Sequence, residues 1–208
     1  MRIIAGENKG RRLAAPKGQN TRPTTDRVRE SLMSALESRR GGLADAVVLD
    51  AFAGSGALAF EALSRGAERA CLCERDGAAL KAIKENASTL GYPSQRALVR
   101  RVDVLAGTVP RLGKPYSVVF LDPPYATAAS EVLALLARLD KQSALSADVM
   151  AVYEHDAADD QAVDEALRGS CFRIAARRAY GETTIDFLER RLEREARGRS
   201  ADEWESGE

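Results

Sequence analysis

Short apolar runs alternate with segments of helical periodicity from residue 46 onward, and that alternation constrains the fold more than any other feature of the chain. Residues 46–51, 69–73, 97–102, 117–121 and 149–153 read as strands. Residues 57–64, 77–90 and 130–139 read as helices, with Ala79, Leu80, Ile83, Ala87 and Leu90 near helical spacing in the second. Strands separated by helices pair through crossovers, so the order predicts an α/β fold: a parallel sheet covered on both faces by helices.

The two ends depart from this rhythm. Residues 171–178 and 183–190 flank Ala179-Tyr180-Gly181-Glu182, a loop suited to a hairpin, so an antiparallel pair should finish the sheet. Residues 2–5 and 11–14 flank Gly6-Glu7-Asn8-Lys9-Gly10 and predict a small N-terminal hairpin. Thr24 or Thr25 then suits the cap of a helix over 26–38, with Val28, Leu32, Ala35 and Leu36 on its inner face. From Glu193 the chain is highly charged and lacks apolar periodicity, which predicts a fraying helix, then disorder, with Trp204 mobile. The expected organisation is a basic extension over 1–40, a core over 41–192 and a tail over 193–208.

Lys+Arg and Asp+Glu balance at 31 each, so net charge says nothing about partners, but its distribution does. Residues 1–40 hold ten basic groups (among them Arg2, Lys9, Arg11, Arg12, Arg22, Arg27 and Arg29) against four acidic ones, a local net of +6. Such asymmetry suggests a polyanion-binding face. No apolar segment resembles a signal or a membrane span, so a soluble, cytoplasmic protein is expected. Cys71, Cys73 and Cys171 with the single His155 lack metal-ligand number and spacing. Cys71 and Cys73 should share one face of a strand as small buried hydrophobes, and His155 should be a solvent-facing loop residue.

Acids recur where strands end. The first strand runs into Asp50-Ala51-Phe52-Ala53-Gly54-Ser55-Gly56-Ala57, whose glycines permit a tight turn and close ligand approach before a helix N-terminus. Glu74 ends the second strand, about 20 residues past the turn, where a carboxylate can hold ribose hydroxyls. Asp103 ends the third and can accept from an adenine amino group. Each could instead be a cap, but ligands of open α/β sheets bind outside these carboxyl ends. A pyrophosphate wants N–H groups and positive charge. S-adenosylmethionine carries a sulfonium and an ammonium that tolerate acids, so Asp50 and Asp122 favour it over a nicotinamide dinucleotide.

The fourth strand runs into Asp122-Pro123-Pro124-Tyr125. Proline fixes φ and donates no N–H, so this loop presents a rigid array of acceptors. Asp122 and the nearby carbonyls suit an exocyclic amino group, and Tyr125 can stack on the base, a contact worth about 1–3 kcal/mol. An ordinary strand-ending turn would use similar residues.

These motifs resemble a known family. The core is similar to the Rossmann-like, seven-stranded S-adenosylmethionine-dependent methyltransferases, among which D-P-P-Y marks enzymes acting on exocyclic amines of bases. More narrowly, Arg2-Ile3-Ile4-Ala5-Gly6, Lys9-Gly10-Arg11, Thr21-Arg22-Pro23-Thr24, residues 26–32, residues 50–58, residues 61–67 and residues 121–125 resemble the bacterial RsmD-type 16S rRNA guanine-N2 methyltransferases over about residues 1–190. Ala51 and Ala59 depart from the family's usual Leu and Gly. The resemblance implies that Asp50, Phe52, Gly54, Gly56, Glu74, Asp103 and Asp122 hold S-adenosylmethionine. It implies that Asp122, Pro123, Pro124 and Tyr125 hold the flipped guanine, and that Arg2, Lys9, Arg11, Arg12, Arg22, Arg27 and Arg29 grip rRNA. The implied partner is 16S rRNA or the small ribosomal subunit, met by a monomer without metal. A DNA adenine-N6 methyltransferase and a non-catalytic rRNA-binding assembly factor are the alternatives.

Overall fold

The computed structural model describes residues 1–15 and 26–191. Seven strands, β1 (Val47–Asp50), β2 (Arg69–Glu74), β3 (Ala97–Arg101), β4 (Tyr116–Leu121), β5 (Leu145–Asp156), β6 (Phe172–Tyr180) and β7 (Thr183–Arg190), form one sheet. Its order is β3-β2-β1-β4-β5-β7-β6. The first five strands pair in parallel and β7 runs antiparallel to both β5 and β6. From β1 the chain winds outward to β2 and β3, then returns to place β4 on the other side of β1. That reversal opens a crevice at the carboxyl ends of β1 and β4, the general ligand position in such sheets.

Period-two alternation divides the apolar side chains between two layers. Val48, Leu72, Val118, Phe120 and Val152 face a cluster with Leu32, Met33 and Leu36 of α1 (Asp26–Arg40), Phe60 and Leu63 of α2 (Ala57–Ser64), and Ile83 and Leu90 of α3 (Gly77–Leu90). Leu49, Val119, Leu121 and Tyr153 face α4 (Ala129–Lys141) and α5 (Asp160–Ala166). Each fully buried Leu or Phe contributes about 1.5–3 kcal/mol of transfer free energy. Cys71 and Cys73 are buried on the second face with their sulfurs 3.8 Å apart.

The N-terminal residues form a narrow hairpin: Ile3 N–H donates to the Arg11 carbonyl and Gly10 N–H to the Ile3 carbonyl, both at 2.9 Å. It docks on α2 through Glu61, a fully buried carboxylate accepting from Ile4 N (2.8 Å), Ala5 N (3.0 Å) and Arg65 Nε (2.9 Å). Gly6 has φ +81°, and a Cβ there would meet the Ser64 carbonyl at 1.7 Å, so the close approach requires glycine. Ile3, Leu13 and the inner face of α1 join the same core as the sheet.

Several elements extend beyond the sequence reading. The fifth strand continues to Asp156 because β7 pairs with it, matching Glu154 to Ile185, His155 to Thr184 and Asp156 to Thr183. His155 is therefore a buried strand residue and not a loop residue at the surface. Its Nε2 lies 3.1 Å from Asp186 Oδ2 and its Nδ1 2.9 Å from the Asp156 carbonyl. The sequence reading passed over α5, in which Val163 is the buried residue. Arg22, Thr24, Thr25 and the tail from Glu193 lie outside the described residues. Among the described residues, no helix is long and apolar enough to cross a membrane.

Candidate active site

Strand alternation sets Glu74, Asp50, Asp122 and Glu154 on one face at the carboxyl ends of β2, β1, β4 and β5. Asp50 pairs in register with Leu72 and Phe120, so Glu74 and Asp122 each stand two residues beyond it on either side. Leu121 pairs with Tyr153, so Asp122 and Glu154 are level with one another. Among the described residues, no three acids, histidines or cysteines gather tightly enough to hold a metal ion, so the row is spread along the edge.

Asp50 is 1% exposed. One oxygen accepts from Ala59 N–H at 3.3 Å while the other, Oδ1, is buried without a partner. Burial pushes its carboxyl up to about 7, Glu74 adds to the rise, and the backbone N–H groups of Ala59 and Phe52 oppose it. Asp122, half-buried, is raised well above the usual carboxylate range, first by burial, then by Glu154 and Asp50. These are acids held in an environment that disfavours their charge, a hallmark of functional sites.

The glycine turn is organised by Glu74. Its Oε2 accepts from Gly54 N–H (2.9 Å), and its Oε1 from Arg75 N–H (2.7 Å) and Asp76 N–H (2.8 Å). Gly54 and Gly56 have φ of +55° and +81°. A Cβ on Gly56 would meet Phe60 at 2.4 Å, whereas one on Gly54 would point into open space. Gly56 is thus demanded by packing, and Gly54 is the point where a ligand can approach the backbone. Phe52 is half-buried against the second core. Asp103 lies past β3 with Oδ1 accepting from Leu105 N–H (3.1 Å) and Oδ2 3.3 Å from Arg75.

After β4 the loop turns on itself: the Pro124 carbonyl accepts from Thr127 N–H at 2.9 Å. Of the two proline carbonyls, that one is therefore used within the loop. Pro123 is half-buried beside Asp122, and Tyr125 is 59% exposed, a large ring facing solvent at the mouth of the crevice.

The basic residues divide. Arg2, Lys9, Arg11, Arg12 and Arg27 are exposed on the hairpin and α1, which cover the same sheet face as the acid row. Arg29 is 1% exposed, and its guanidinium bonds the Arg2 carbonyl and Asp26, 3.0 Å away. It holds the hairpin to α1 and is not presented to a polyanion, a departure from the sequence expectation. The inner apolar stripe of α1 carries this position inward with Leu32, Met33 and Leu36. Asn86, 1% exposed, ties the end of the hairpin to the glycine turn by bonding both backbone groups of Ala14 and the Ser55 carbonyl.

Glu154 escaped the sequence reading. Its signal was an acid directly following the apolar run of β5, the same pattern as Asp50 and Asp122, hidden because the strand was read as ending at Tyr153.

The family model described as "Conserved hypothetical protein 95" matches residues 1–189. YlbH of Bacillus subtilis, provisionally named an rRNA methyltransferase, is 39% identical over 162 residues, covering 75% of this chain and 83% of its own. Ribosomal RNA small subunit methyltransferase D of Escherichia coli K12 is 43% identical over 126 residues, 60% of each chain. The solved structure of yhhF from Escherichia coli, provisionally a methyltransferase, superposes with a TM-score of 0.73 at 32% identity over 92% of this chain and 98% of its own. The glycine turn, the acid-ended strands and these relatives agree: the chain belongs to the RsmD-type methyltransferase family.

Proposed function

We propose that this protein methylates the exocyclic N2 of a guanine in 16S rRNA of the small ribosomal subunit, using S-adenosylmethionine. The observation that carries the reading is the carboxyl edge itself: Asp50 and Asp122, both raised, beside an exposed Tyr125. The unpartnered Asp50 Oδ1 and the open space above Gly54 fit a ligand bearing positive charge and no phosphate. Asp50 and the turn Phe52–Gly56 would hold it, with Glu74 ordering the turn and Asp103 at its far end.

S-adenosylmethionine supplies an electrophilic methyl whose C–S bonding pair stays on sulfur as N2 forms its new bond. The protein's task is positioning, which can contribute about 7–11 kcal/mol. Asp122 and the Pro123 carbonyl accept hydrogen bonds from the amine and direct its lone pair toward the methyl. Tyr125 stacks on the ring, while Asp122 offers an acceptor for the proton N2 sheds after transfer. The exposed arginines and Lys9 grip rRNA phosphates, and the base is presented unstacked.

Transfer of tritiated methyl to small subunits lacking the modification tests this, with naked rRNA and duplex DNA alongside. Label recovered as N2-methylguanosine supports the proposal. Label on duplex DNA adenine would replace it with the DNA enzyme, and cofactor binding without transfer to any RNA would replace it with an assembly factor.

A further inference from the structure

A loop of the Asp-Pro-Pro-Tyr kind serves any exocyclic amine, so something else must distinguish guanine from adenine. The two bases differ beside the amine. Guanine carries N1–H next to its N2 amino group, two donors in a row, whereas adenine carries a lone pair at N1 next to its N6 amino group. A site for guanine therefore needs a second acceptor next to the one that holds the amine.

Glu154 stands in that place. The register that pairs Leu121 with Tyr153 sets Asp122 and Glu154 level on adjacent parallel strands. Neighbouring parallel strands lie about 4.8 Å apart, twice the spacing of two donors on one base edge, a gap the longer glutamate side chain can close. Tyr153 packs in the opposite core and its ring lies 4.8 Å from His155, so Tyr153 and His155 share the other face and Glu154 projects on the face of Asp122. Antiparallel pairing of Glu154 with Ile185 keeps it in regular strand geometry, fixed and not carried on a loop. A second observation points to a ligand at this edge: the Oδ1 of Asp50, two residues from Asp122 in register, is buried without a partner. The closeness of Asp122 and Glu154 is also felt electrostatically, since after burial it is Glu154 that most disfavours charge on Asp122.

We infer that Glu154 is the specificity-determining residue for guanine, accepting a hydrogen bond from N1–H while Asp122 accepts from the N2 amine. The inference rests on the guanine reading proposed above. An adenine in the same place would set its N1 lone pair against a carboxylate, and a buried polar mismatch of that kind rejects the wrong base strongly.

The test uses small subunits reconstituted with ligated 16S rRNA, once the wild-type assay has mapped the labelled nucleotide. One preparation carries guanine at that position and the other carries 2-aminopurine, which keeps the N2 amine but replaces N1–H with a lone pair. The wild-type enzyme should methylate guanine faster than 2-aminopurine by at least about 10²-fold. Glu154→Gln should slow transfer to guanine and narrow that ratio to within about tenfold, since an amide can donate to N1. Its affinity for S-adenosylmethionine, measured by calorimetry, should stay within about twofold, showing an intact fold. Wild-type rates alike on the two bases would overturn the inference, as would a Glu154→Gln enzyme slowed equally on both. Those outcomes leave N2-methylguanosine as the product and the guanine reading intact. Wild-type label on adenine, or none, would sink both together.

Discussion

Asp50 and Asp186 are both buried acids of one sheet, yet they are opposites. Asp186 on β7 receives Arg177 at 2.8 Å through both Nε and Nη2, and His155 at 3.1 Å. Burial acts to raise its carboxyl, but Arg177 and His155 outweigh burial and hold it below its ordinary value. For His155 burial acts to lower the imidazole, and Asp186 with the Asp156 carbonyl reverses that. Asp50 on β1 has one long bond to Ala59 and a minor pull from the Phe52 N–H, and its Oδ1 is buried without a hydrogen-bond partner. The partnered acid belongs to the architecture; the unpartnered one is where we propose that a ligand carrying positive charge binds.

The largest effect that would sharpen this contrast is at Asp122. Asp122→Ala should cut methyl transfer by at least about 10³-fold while small-subunit binding changes little, measured as single-turnover rate and KM. A variant retaining a tenth of the wild-type rate would break the assignment.

Stability should separate the two acids next. Asp186→Ala removes the buried carboxylate that both Arg177 and His155 bond, leaving Arg177 only Asp164 and Asp160, and should cost about 3 kcal/mol in denaturant unfolding. Asp50→Asn should do the reverse in the ligand-free protein. The Asp50 carboxyl titrates near 7 when folded and near 4 when unfolded, so stability falls as pH rises through that window and stays reduced above it. At pH 8 the Asn variant should match or exceed wild type, by about 1 kcal/mol. An Asp50→Asn protein as unstable as Asp186→Ala would erase the distinction.

Much of this was legible in the sequence, for reasons that particular elements show. Helices α2 and α3 and strand β7 fall at the residues their periodicity and flanking glycines indicate. These are locally determined: α3 starts at an Asp76 side chain accepting from Ala79 N–H and stops at Gly91 with φ +76°. Asp50, Glu74 and Asp122 could be read because each follows an apolar run. Glu154 carries the same local pattern but lies where β5 continues only because β7 returns alongside, and the burial of His155 has no local signal at all, since its partner Asp186 is 31 residues away. The burial of Arg29 was hidden likewise, because its acceptor is the Arg2 carbonyl.

Smaller effects belong to the rim. Tyr125 is exposed, so Tyr125→Ala should leave the melting temperature unchanged while costing about 1–3 kcal/mol in kcat/KM through lost stacking. Replacing Arg11 and Arg12 together by Ala should raise the KM for small subunits and reduce the salt slope of binding by about one to two. Cofactor affinity should not move. An unchanged salt slope would remove the hairpin from the proposed rRNA-binding face.

The comparison between Asp50 and Asp186 comes down to whether a cationic ligand draws the Asp50 proton off. Calorimetric titration of S-adenosylmethionine at pH 6, in two buffers of different ionisation enthalpy, measures this directly. Release of about one proton per cofactor bound is expected, more if Asp122 also ionises, with the Asp50 share lost in Asp50→Asn and the release fading by pH 9. Binding without proton release in the wild-type protein, or no binding at all, would contradict it.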